Sequence, residues 1–184
     1  MSLYLVRHGE TEWSRSGKHT STTDLPLLPE GEEAARALAP RLAQCSFARV
    51  LTSPRIRARR TAELAGFADA VVDEDLVEWA YGDYEGVTTA EIREHDPDWS
   101  IWDGLTPGGE TAEQVTERLD RVVARAQAVE GDTLVFGHAH CLRALAARWV
   151  CEPVRFGRHL LLSTATLSQL GEDRGTPVVV GWNS

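Results

Sequence analysis

Short apolar runs alternate along this chain with stretches of helical periodicity, and that alternation is its main structural signal. Leu3 to Val6 is apolar, includes an aromatic and a β-branched residue, and is followed closely by Gly9, so it reads as a buried strand. Glu30 to Gln44, rich in alanine, leucine and charges, reads as a helix that Pro40 should kink or divide. Phe47 to Thr52 predicts a second strand. Ser53-Pro54 follows at once, a good N-cap and a good first helical residue, so a helix is expected from there to about Leu64. Ala70 to Val72 predicts a short strand and Thr88 to Glu94 a short helix, whereas the segment from Trp99 through Thr106-Pro107-Gly108-Gly109 looks irregular. Thr111 and Gln114 have capping-box spacing, and Val115, Leu119, Val122, Val123 and Ala126 behind them share one helical face. Asp132 to Phe136 predicts a strand, and the next helix carries Leu142, Leu145, Ala146 and Trp149 on one face. Ala165 to Leu170 and Val178 to Trp182 complete the set. Alternating strands and helices indicate an α/β fold, a three-layer α/β/α sandwich with a mostly parallel sheet. The last two strands are separated only by a turn, which makes one of them antiparallel.

Length and composition narrow the reading. The 184 residues suit a single domain, residues 1–184, and 42% apolar residues can fill its core. A net charge of −9 argues against a nucleic-acid or anionic-membrane partner, so an anionic ligand would need a local basic pocket. No apolar run approaches membrane-spanning length, and a strand beginning at Leu3 leaves no room for a signal peptide. Cys45, Cys141 and Cys151 are odd in number and lack metal-type spacing, as expected of reduced, mostly buried thiols in a cytoplasmic protein. Composition leaves the oligomeric state, monomer or homodimer, open.

Two strand ends carry candidate chemistry. Arg7-His8-Gly9 closes the first strand and Gly137-His138-Ala139 closes the strand from Asp132, and ligands of open α/β sheets sit at such carboxyl ends. A nucleophilic histidine must be neutral at the attacking nitrogen, and cations must converge on it if it is to receive a phosphoryl group. Arg7 adjoins His8. Arg55, Arg57, Arg59 and Arg60 lie in or beside the helix after the second strand, and composition cannot choose among them. The pair His138-x-His140 has a rival reading as metal ligands, though no cluster of further ligands accompanies it. The loop from Glu12 to Thr23 is too long for a simple connection, which draws attention to Ser14, His19 and Thr20.

Arg7-His8-Gly9-Glu10-Thr11 after a first strand resembles the signature of the histidine phosphatase, or phosphoglycerate mutase-like, superfamily. Three further motifs follow in family order. Ser53-Pro54 to Thr61-Ala62 is similar to the family's second motif, whose phosphate-binding arginine stands four residues after the serine, at Arg57. Leu76-x-Glu78 with Gly82 and Glu85-Gly86 is similar to the acid-bearing loop, which implies that Glu78 is the general acid, with Tyr81 and Asp83 near the pocket. Gly137-His138-Ala139 is similar to the element whose histidine donates to phosphoryl oxygens. The resemblance thus implies catalytic His8, Arg7, Arg57, Glu78 and His138 and a reaction that needs no metal or cofactor.

Departures sharpen the expected reaction. The family's cofactor-dependent mutases have asparagine where this chain has Ser14, and longer insertions over the site, so hydrolysis is favoured over phosphoryl return. The pattern looks like the branch of sugar-phosphate phosphatases and small bacterial acid phosphatases. There an arginine five residues after the second histidine helps to hold substrate, a position occupied here by Arg143. The expected function is hydrolysis of small phosphorylated metabolites through phospho-His8, with Ser14, His19, Thr20, Tyr81, Asp83 and Arg143 as substrate-binding candidates. A phosphoglycerate mutase and a non-catalytic phospho-ligand binding module are the alternatives.

Overall fold

The computed structural model describes residues 1–103 and 105–184. Six strands form one sheet in the order β3-β2-β4-β1-β5-β6: β1 Leu3–Arg7, β2 Phe47–Thr52, β3 Val71–Val72, β4 Asp132–Gly137, β5 Leu167–Asp173 and β6 Thr176–Gly181. β1 pairs parallel to β4, with Leu5 opposite Val135, and β4 pairs parallel to β2. β5 runs against both of its neighbours, β1 and β6, as the short final connection requires.

Strand alternation builds two cores. Leu3, Leu5, Leu51 and Val135 point to one face, where α6 (Ala112–Gln127) and α7 (Ala139–Trp149) bury Val115, Leu119, Val122, Leu142, Leu145 and Trp149. Val6, Leu134 and Phe136 point to the other face and meet Leu38, between α2 (Pro29–Ala37) and α3 (Ala39–Leu42), with Leu42 of α3 and Ala62 of α4 (Ile56–Leu64). Helices on both sides make the three-layer sandwich. Each fully buried leucine contributes about 1.5–3 kcal/mol to holding the layers together.

Most expected elements are present, and Pro40 does divide the second helical stretch, between α2 and α3. The irregular stretch before α6 holds as read, with Gly104 outside the described residues. Three expectations need correction. The Glu12–Thr23 loop contains a helical turn, α1 (Glu12–Ser16), capped by Thr11 and ended by Gly17 in the left-handed region at φ 74°. Among the cysteines, Cys141 is buried, Cys45 half-buried and Cys151 exposed. Ser53 does not cap α4. The helix starts at Ile56, and the Ile56 N–H donates instead to Asp24 Oδ1 at 2.8 Å.

Parallel pairing of β1, β4 and β2 brings their carboxyl ends to one rim. The turn after β1 packs tightly there: a Cβ on Gly9 would lie 2.4 Å from the Gly31 carbonyl oxygen. Only glycine fits between the two backbones.

Candidate active site

His8 leaves β1 with its ring buried, 5.2 Å between centroids from the ring of His138, which leaves β4. The His8 Nδ1–H donates to the Gly9 carbonyl at 2.7 Å, which turns Nε2 outward as the free lone pair. Burial pushes the His8 pKa well below its ordinary value, and the neighbouring charges of Arg7 and Arg57 push it further. A neutral imidazole with an unprotonated Nε2 is a competent nucleophile.

Arg57 lies in the first turn of α4 and is fully buried. Its Nε donates to His138 Nδ1 at 3.2 Å, and its terminal nitrogens donate to the carbonyls of Thr20, Ser21 and Thr23. Because His138 Nδ1 accepts from Arg57, its Nε2 carries the proton, which is donated to Ser53 Oγ at 2.7 Å. The Ser53 hydroxyl thus serves the histidine rather than the helix end. The Thr20–Thr23 carbonyls are held in place by Glu85, whose carboxylate accepts from Ser21 N, Ser21 Oγ and Thr23 N. Arg7 donates to the Leu162 carbonyl at 2.6 Å, and its Nε has no partner among the described residues.

Glu78 approaches from the loop after β3. Oε1 accepts from Trp79 N at 2.9 Å and Cys141 N at 2.7 Å, and Oε2 from His140 N at 3.1 Å, the latter two belonging to the first turn of α7. Burial raises its pKa above the ordinary carboxyl value despite these donors and the charge of Arg57. A carboxyl whose pKa is raised in this way, beside a nucleophile, is suited to give a proton to a leaving oxygen.

Arg7, His8 and Glu78 open on a cavity of about 210 Å³ whose wall also includes Ala139. Ser14, His19, Thr20 and Tyr81 line it as anticipated. Lys18, Thr89 and His140 line it too, although Lys18 and Thr89 are absent from the sequence-derived set. Lys18 sits inside the Gly17–Thr20 turn, a position that could have flagged it. His140 accepts from the Tyr81 hydroxyl through Nδ1 at 2.6 Å, burial having raised the Tyr81 pKa well above its usual value. Its ring packs near Trp102 while that of His138 faces His8, so the two rings have different neighbours.

Four candidates are not on the cavity wall: Arg57 and His138, buried in contact with each other beside His8, and Asp83 and Arg143. Asp83 is exposed, and its backbone N–H bonds the Pro107 carbonyl. Arg143 donates to the carbonyls of Gly157 and Arg158, and its guanidinium lies 4.8 Å from the centre of the Trp102 ring.

An α/β sheet with a buried neutral histidine, a buried carboxyl and two arginines at its rim defines a histidine-centred phosphoryl-handling enzyme. The chain belongs to the histidine phosphatase superfamily (branch 1), whose family model matches residues 3–184. It is 40% identical over 177 residues to an acid phosphatase of Mycobacterium tuberculosis, covering 94% of this chain and 87% of that protein. It is 41% identical over 178 residues to sedoheptulose 1,7-bisphosphatase of Saccharomyces cerevisiae, covering 79% of this chain and 66% of that one. A solved structure of an open reading frame product from Mycobacterium tuberculosis superposes with a TM-score of 0.95 at 37% identity, covering 99% of this chain and 96% of the other.

Proposed function

We propose that this protein is a phosphomonoesterase of small phosphorylated metabolites, sugar phosphates or related compounds, working through a phosphohistidine at His8. The observation that carries the reading is the His8 tautomer: Nδ1 is committed to the Gly9 carbonyl, and Nε2 is left neutral beside half-buried Arg7 and buried Arg57.

In the first step the His8 Nε2 lone pair attacks phosphorus and the ester P–O bond breaks. The Glu78 carboxyl gives its proton to the departing oxygen, so an alcohol leaves rather than an alkoxide. In the second step Glu78, now a carboxylate, takes a proton from water as that water attacks phosphorus. The P–N bond breaks and its electron pair returns to Nε2. Arg7 and Arg57 supply positive charge to the phosphoryl oxygens through both steps, and the Nε2–H of His138 becomes their donor on leaving Ser53 Oγ. Ser14, His19, Thr20 and Tyr81 hold the rest of the substrate. The chemistry proceeds on these side chains alone, and the free thiols support a reducing, cytoplasmic setting for one domain spanning the chain.

Incubation with a radiolabelled phosphoester followed by denaturing quench should trap protein-bound phosphate that is stable in base and labile in acid. His8→Ala should abolish it. Label that persists in that variant would overturn the assignment.

A further inference from the structure

We infer that the ion pair between half-buried Glu110 and buried Arg118 is a positioning device for the Glu78 acid, an inference that rests on the role given to Glu78 above. Neither residue reaches the cavity. Arg118, on α6, is 6% exposed, and it grips Glu110 through two parallel bonds, Nε to Oε1 at 2.7 Å and the terminal nitrogen to Oε2 at 3.0 Å. The pair holds the Glu78 loop on both sides of the acid. Upstream, Arg118 donates to the Asp75 carbonyl at 2.8 Å. Downstream, Glu110 Oε2 accepts from Ala80 N at 2.8 Å, the Glu110 N–H donates to the Ala80 carbonyl at 2.9 Å, and the Trp79 indole donates to the Glu110 carbonyl.

The same guanidinium touches the other element that fixes the acid. It lies 3.8 Å from Cys141 Sγ, and the Cys141 backbone N–H is the shortest hydrogen bond to the Glu78 carboxylate. One ion pair therefore ties together the coil that carries Glu78 and the helix turn that receives its carboxylate. The stretch from Val77 to Tyr81 forms no strand or helix that could set this geometry by backbone pairing. A buried ion pair is weak evidence for stability as such, because apolar residues of similar volume often serve the fold equally well. Its value here is directional. Fork geometry at Arg118 and paired contacts at Ala80 leave the acid little freedom to turn away from the leaving oxygen.

Leaving-group dependence tests the inference. An alkyl phosphate needs the acid's proton, whereas a p-nitrophenyl ester expels a stabilised phenolate without it. In Glu110→Gln, kcat/KM for an alkyl phosphate should fall about tenfold or more while that for p-nitrophenyl phosphate falls less than about threefold. The paired substitution Glu110→Leu with Arg118→Leu removes the fork and keeps the site apolar and filled, and it should give the same split. Equal losses on both esters, or a folded variant with unchanged alkyl-phosphate turnover, would overturn the positioning role. Glu78→Gln serves as the control. If it shows no leaving-group split, the assignment of Glu78 as the acid fails. If it shows one and both pair variants do not, the positioning inference alone fails.

Discussion

Mild acid should cost this protein stability by an amount that can be assigned to one residue. His19 is 8% exposed, packs near Tyr81 and Trp99, and has only Thr89 Oγ1 beside its Nε2. Burial lowers its pKa from 6.5 to about 4, against the opposing charge of Glu85. A folded-state pKa below the unfolded value means that the unfolded chain binds more protons, so stability falls as pH drops below the unfolded pKa and stops falling below the folded one. The full shift corresponds to about 3 kcal/mol, of which about 2.5 kcal/mol is lost by about pH 4.5. Urea unfolding followed by tryptophan fluorescence, near pH 7 and near pH 4.5, measures it. His8, His138 and His140, also held neutral by burial, add to the decline in the wild type and in the variant alike. His19→Gln, whose amide can still face Thr89, should therefore be less stable near pH 7 but decline by about 2.5 kcal/mol less on acidification. Parallel declines would show that His19 is not held neutral by the fold.

Two further outcomes follow from the site. Arg57→Lys keeps the charge but cannot serve His138 and three carbonyls from one planar fork, so kcat/KM should fall about 10²–10³-fold and thermal stability should drop; near-wild-type steady-state kinetics would show that charge alone suffices. Asp83→Asn, remote from the cavity wall, should leave kcat/KM within about twofold in the same assay, and a tenfold loss would place it in substrate contact.

The elements that were legible in the sequence are those whose signal is local. The short apolar runs in Leu3–Val6 and Leu134–Phe136, the capping box at Thr111 and the break at Pro40 are written within a few residues of where they act. Ser53 shows the opposite case. Its sequence context favours a helix cap, but a hydroxyl partner 85 residues away, the Nε2–H of His138, takes its oxygen. The helix then draws its cap from Asp24, 32 residues upstream. Arg143 was displaced in the same way: the one-turn offset from His138 is correct, yet the helical turn Val154–His159 returns across α7 and presents carbonyls that claim the guanidinium. Lys18 and Glu110 lie in loops, whose packing leaves no periodic trace.

The arrangement around His8 has one cause with two chemical effects. Burial and the fields of Arg7 and Arg57 hold the imidazole neutral by opposing a proton on it. That same field favours the negative oxygens of a phosphoryl group on the same nitrogen. A proton and a phosphoryl group compete for Nε2, and the surrounding charge rejects the first while accepting the second. Glu78 lies at the edge of this field, where burial outweighs three backbone donors and the pull of Arg57, so its carboxyl keeps a proton to higher pH than usual. Burial thus drives the two groups in opposite directions, so the neutral imidazole survives below the ordinary histidine value of 6.5 and the protonated carboxyl above the ordinary glutamate value of 4.5. Both shifts favour the two states needed for the first step, and the pH profile of alkyl-phosphate kcat/KM should keep its acid limb below 6.5.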